Sequence, residues 1–125
     1  MNQPEGHTYL KEHNLGGDVS LVDLNEQAAE VLAEARQATS KRAARTLIKE
    51  GALRMTLVAF PAGGALADHN AGGPVSIHLL SGAVQIGVGG RTQALSAGQT
   101  LVLRANQQHS LTATADSVVL LTIAL

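Results

Sequence analysis

The sequence predicts an all-β domain, an antiparallel barrel or sandwich, with one helix ahead of it. Three observations carry this. Short apolar runs follow one another at regular spacing after Ala44, most are separated by a glycine-bearing turn signal, and helical periodicity occurs only before them. With 125 residues, 45% hydrophobic and 15% charged, the chain suits one folded domain with a real core. So few charges leave much neutral surface, and a homodimer is the expected way of covering it.

Residues 1–22 read as an N-terminal arm. Residues 1–17 are polar and end in Gly16-Gly17, as a loose arm or an exchanged strand would, and 18–22 could pair with a sheet edge. Residues 23–44 read as helix and linker. Asp23 can cap, Glu26 completes a capping-box-like pair, and Leu24, Ala28, Val31, Leu32 and Ala35 form one apolar stripe through Arg36. The stripe is alanine-rich and predicts close packing on something flat. The basic stretch 39–44 reads as the linker. Residues 45–125 read as the barrel, with strands at 45–49, 54–60, 75–80, 83–88, 92–96, 100–103, 109–114 and 117–124. The turn signals are Pro61-Ala62-Gly63-Gly64, Ala71-Gly72-Gly73-Pro74, Ser81-Gly82, Gly89-Gly90 and Ala97-Gly98. The last run is apolar on both faces and should be central.

Composition removes several functions. A net charge of -1 gives no reason for a nucleic-acid or membrane partner, and one Phe, one Tyr and no Trp leave little for stacking bases or sugars. Without cysteine there is no disulfide, thiolate metal site or cysteine nucleophile. No run reaches the length of a membrane span, and residues 1–10 show no apolar signal core, so the expectation is a cytoplasmic protein. No nucleophile elbow, P-loop or dinucleotide turn occurs; Gly87-Val88-Gly89-Gly90 lies between two strand runs and reads as a hairpin turn.

The chemistry is sought in the five histidines. His7 and His13 lie in the polar arm and read as solvated. Around His69, the spacing runs Gly63, five residues, His69, then Ala71, Val75 and Gly82; around His109 it runs Gly98, Arg104, Asn106, His109 and Ala113. These intervals resemble the two motifs of the cupins, of the small single-domain bacterial, RmlC-like kind. The first cupin motif reads glycine, five residues, His-x-His, three or four residues, glutamate, six residues, glycine. The second reads glycine, five residues, Pro-x-Gly, two residues, His, three residues, Asn. Every interval is kept over about residues 45–124.

The resemblance implies the cupin double-stranded β-helix, a jelly-roll-like antiparallel barrel, with His69 and His109 facing one barrel mouth. The motif glycines would supply positive φ or close backbone approach at corners, and Asn106 fits a left-handed position better than most residues. The metal motif is degenerate. Cupins usually hold a divalent ion with three histidines and a glutamate, and here Ala71 and Val75 stand where the second histidine and the glutamate would be. No cofactor is fixed by these residues. A divalent metal such as Zn, Ni or Fe is the candidate, with His69 and His109 as its ligands, against two pocket histidines that bond to each other or to water.

The predicted pocket comprises His69, His109, Val75, Ile77 and Ala71. Alternation sets Val75, Ile77 and Leu79 on one face of a strand and Ser76 and His78 on the other, so His78 reads as a packing or interface residue unless the register slips. Asp68 and Asn70 should point outward. Arg104 reads as a solvated arginine, with Asp68, Asp116 or an anionic ligand as its alternative partners. Three functions follow: a cupin binding an unknown small molecule in an apolar lumen with two histidines, which is preferred; a metal-dependent cupin enzyme, dioxygenase- or isomerase-like, using His69 and His109; and a structural dimerisation module.

Overall fold

The computed structural model describes residues 7–9 and 19–125. In chain order the elements are β1 (His7–Tyr9), α1 (Leu24–Gln37), β2 (Ala43–Glu50), β3 (Leu53–Phe60), β4 (Ala65–His69), β5 (Val75–Ser81), β6 (Ala83–Val88), β7 (Arg91–Ser96), β8 (Thr100–Leu103), β9 (His109–Ala113) and β10 (Ser117–Ala124). They form two facing sheets, a six-stranded one in the order β1-β2-β3-β10-β5-β8 and a four-stranded one in the order β4-β9-β6-β7. All pairings are antiparallel except β1 with β2, which is parallel. As expected, the doubly apolar β10 is central, between β3 and β5. No helix among the described residues is long and apolar enough to cross a membrane.

Three elements depart from the sequence reading. The basic stretch 39–44, expected to be a linker, already holds the start of β2, where Ala43 pairs with Ala59 and Ala44 with Val58. β4 has no counterpart among the expected runs, because it is short, alanine-rich and interrupted in its alternation. Residues His7–Tyr9 of the arm are a strand, and Ser20 makes an isolated bridge; His13 and Asp18 lie outside the described residues.

One apolar cluster fills the space between the sheets, with Phe60, Ile77, Leu79, Val84, Ile86, Leu111 and Val119 all at 2% exposure or less. A second cluster lies on the outer face of the large sheet, where Val31 and Ala35 of α1 pack on Leu57, Ala59 and Val118. Burying Val31 alone contributes about 1.5–3 kcal/mol. The helix begins where the capping pattern predicts, the Asp23 side chain accepting from the Glu26 N–H at 3.1 Å. Arg45, on the same outer face, donates to Gln27 Oε1 at 2.6 Å and Glu30 Oε1 at 2.9 Å, and bonds to Glu34. Near the other end, Arg36 donates to Asp116 at 2.8 Å, and the Ala62 N–H donates to the same carboxylate at 3.0 Å. These two contacts hold its carboxyl below the usual value of 3.8.

The motif glycines Gly63, Gly82 and Gly98 have φ of 90°, 96° and 92°, and Asn106 has φ of 63°. Gly82 is doubly constrained, because a Cβ there would lie 2.2 Å from Ser117 Oγ. Ser117 is fully buried, accepts from the Ala83 N–H at 3.1 Å and donates to the Ala115 carbonyl at 2.7 Å, which closes that corner of the barrel.

Candidate functional site

The inward face of the small sheet is built in three cross-strand rows. Leu95, Val84 and Ala113 form the first, all apolar and at most 6% exposed. Gln93, Ile86, Leu111 and Leu66 form the second, with one polar member. Arg91, Val88, His109 and His69 form the third. Polarity therefore rises from a dry floor to a rim with two imidazoles and a guanidinium.

His69 reaches this row through a register shift. Between Leu66 and His69, β4 advances three residues while β9 advances two, from Leu111 to His109. Strict alternation would aim His69 away from the face that Leu66 shares with Leu111. The extra residue of this bulge turns it back. The rings of His69 and His109 then lie 4.2 Å apart between centroids, tilted by 55°.

Both rings are held in the same way. His69 Nδ1 lies 3.0 Å from the Ala67 carbonyl and His109 Nδ1 lies 3.0 Å from the Gln107 carbonyl. A carbonyl only accepts, so each Nδ1 carries the hydrogen, and in the neutral form of either ring Nε2 keeps its lone pair. His109 is buried at 4% exposure, whereas His69 is open to solvent. The loop before β5 is fastened beside them, since the Asn106 N–H donates to the Ala71 carbonyl at 2.7 Å.

The remaining predicted residues divide. Val75 and Ile77 face inward but belong to the packed inter-sheet cluster, at 4% and 1% exposure, while Ala71 is half-buried in its loop. His78 is on the outer face, half-buried and hydrogen-bonded across the strands to Thr100, as alternation implied. Asp68 is exposed and lines a groove at the β6–β7 turn with Val88, Arg91, Gln107 and Ser110. Asn70 is exposed, and Arg104 is exposed with no ion pair among the described residues; Asp116 is taken by Arg36. Gly89 and Gly90, with φ of 56° and 79°, make the two-residue turn between β6 and β7.

Beyond that turn the sequence reading missed Arg91. The signal was available: alternation from buried Leu95 back through Gln93 places Arg91 on the inward face. Arg91 lines a cavity of about 480 Å³ together with Ile86, Val88, Leu101, Leu103 and Gln107, at the mouth between the sheets.

No family model matches the sequence, and no curated protein matches it. Solved structures do match its fold. A cupin 2 conserved barrel domain protein from Leptotrichia buccalis is 27% identical, with a TM-score of 0.66 over 70% of this chain and 43% of that one. An RmlC-like cupin protein from Desulfovibrio desulfuricans is 23% identical, with a TM-score of 0.63 over 92% of this chain and 96% of that one. The chain folds as a small cupin domain. A salicylate 1,2-dioxygenase from Pseudaminobacter salicylatoxidans, 19% identical, reaches a TM-score of 0.72 over 79% of this chain and 33% of that one. Cupin neighbours thus include an enzyme, and the fold does not choose among activities.

The usual cupin ion does not fit this donor set. Ala71 and Val75 offer no ligand, and no group of three or more His, Asp or Glu side chains that could hold a metal occurs among the described residues. What the chain supplies is two carbonyl-oriented imidazoles with their Nε2 atoms unbonded, an orientation that suits either a hydrogen-bond donor or a weakly held cation.

Proposed function

We propose that this cupin binds a small organic molecule at the rim of its barrel, with His69 and His109 as the polar contacts and the apolar inter-sheet residues beneath them as floor. The observation that carries the reading is the matched pair of Nδ1–H to carbonyl bonds. They fix both rings and leave two neighbouring acceptor lone pairs that a ligand hydroxyl or N–H can satisfy. Val75 and Ile77 support the floor from below, and Ala71 borders the opening through its bond to Asn106.

The second reading, a metal-dependent dioxygenase- or isomerase-like enzyme, is favoured by the same carbonyl-held rings. In that case the two Nε2 atoms would hold Zn, Ni or Fe and the ligand or water would complete the shell. The ion would supply Lewis-acid or redox chemistry when bound.

The test is carbon-detected NMR of the histidine rings during titration with a panel of small alcohols, amides and acids. Compounds that bind the site move the His69 and His109 signals together and leave His78, on the outer face, unmoved. A panel that never moves the pair, or moves His78 equally, contradicts the binding reading. Elemental analysis separates the second reading: stoichiometric metal in untagged protein, lost in the His69→Ala/His109→Ala variant, would establish it instead.

A further inference from the structure

We infer that Arg91 is the charged anchor of this site, and that the ligand class is a small organic carboxylate with an apolar body. The inference rests on the binding reading above and names its ligand chemistry. Register alone places His69, His109, Val88 and Arg91 in one row across β4, β9, β6 and β7, all on the inward face. From His109 to Arg91 is two strand spacings, about 10 Å, with the apolar Val88 between them.

The cavity at Arg91 has the matching character. Ile86, Val88, Leu101 and Leu103 give it apolar walls, Gln93 and Gln107 give it neutral hydrogen-bonding groups, and Arg91 is its one charged lining residue. The histidines do not line it but border it, through Gln107, whose carbonyl holds the His109 ring, and through Val88, the cross-strand neighbour of His109. Arg91 is exposed and has no ion-pair partner among the described residues, in contrast with Arg36 and Arg45. Arg91 also lines a second cavity, of about 580 Å³, with Asp68, Gln107, Gln108 and Ser110, and it forms no ion pair with Asp68 there. A guanidinium over an apolar wall selects a carboxylate, by paired N–H donors as well as by charge. A carboxylate seated there lays its apolar chain along Val88 and brings its far end, where a hydroxyl would donate to an Nε2 acceptor, towards the histidines.

The experiment compares the 6-hydroxy derivatives of hexanoate and hexanamide (hexanoate and hexanamide for short), which share a chain and a terminal hydroxyl donor and differ in charge, by NMR titration of the protein at neutral pH. Wild type is expected to bind hexanoate about tenfold more tightly than hexanamide. Arg91→Gln is expected to bring hexanoate down to the affinity of hexanamide, and Arg91→Lys to retain part of the preference. Because Arg91 is an exposed hairpin residue, an unchanged unfolding midpoint in both variants separates loss of binding from loss of fold. Equal affinities in wild type, or a preference that survives Arg91→Gln, overturns the assignment. If hexanamide still moves the His69 and His109 signals in that case, the site reading stands without Arg91. If neither compound reaches the pair at millimolar concentration, both are overturned.

Discussion

The two ends of the small sheet's inward face obey different rules. At the floor, Leu95, Val84 and Ala113 repeat an unbroken alternation, and the corner beside them is locked by buried Ser117 against Gly82. At the rim, alternation is broken once, at the β4 bulge, and polar side chains take over. The floor is what any barrel needs. The rim departs from the pattern in a way that turns His69 inward, and bulges are over-represented at the rims of barrels.

Substitutions should separate the two ends by size of effect. The largest belongs to the dry end: Phe60→Ala, at a fully buried position, should lower stability by about 3–5 kcal/mol in urea unfolding. A loss below about 1 kcal/mol would show that the apolar end does not anchor the barrel. Next comes the buttress on the far side of the large sheet. Arg45→Met strands Gln27, which is 3% exposed, and should cost about 1–3 kcal/mol, read from the same unfolding curves.

His69→Ala should change stability by no more than about 0.5 kcal/mol, because the ring is exposed, while abolishing ligand-induced movement of the His109 signal. A stability loss as large as that of Phe60→Ala would make His69 a structural residue and erase the contrast. Deleting Ala67 should remove the bulge and restore simple alternation in β4, leaving His69 two positions after Leu66 and still facing inward across from His109. A His69–His109 nuclear Overhauser contact that persists in the folded deletion variant checks this, and its loss would show that the bulge itself aims the ring.

The smallest effect concerns pH. The folded Asp116 carboxyl has its pKa lowered by Arg36 and by the Ala62 N–H, so its contribution is fully present above the ordinary aspartate range. It is lost as pH falls through the lowered folded value. Asp116→Asn should therefore be less stable than wild type at neutral pH, with the gap closing below about pH 4. A gap that persists in strong acid would show that the carboxylate charge is not what matters.

The same contrast explains what the sequence disclosed. The floor was legible because period-2 patterning and turn glycines report backbone geometry directly, as at Gly82 and in the doubly apolar β10. His69 and His109 were legible through motif spacing, and the outward aim of His78 through alternation. β4 was not, since five residues with an internal bulge carry no periodic signal. Arg91 was passed over in favour of Arg104 because the motif drew attention to its own positions, while the face of Arg91 depended on tracing alternation back from Leu95. The bond from each Nδ1 to the carbonyl two residues before it depends on ring rotation and leaves no mark in the sequence.

The most direct measurement is the nitrogen-15 spectrum of the two histidines in the neutral protein. Rings held by the Ala67 and Gln107 carbonyls should both be Nδ1-protonated, with unprotonated Nε2 atoms that shift together when a ligand binds. Nε2-protonated rings, or two rings that respond independently, would contradict a paired site.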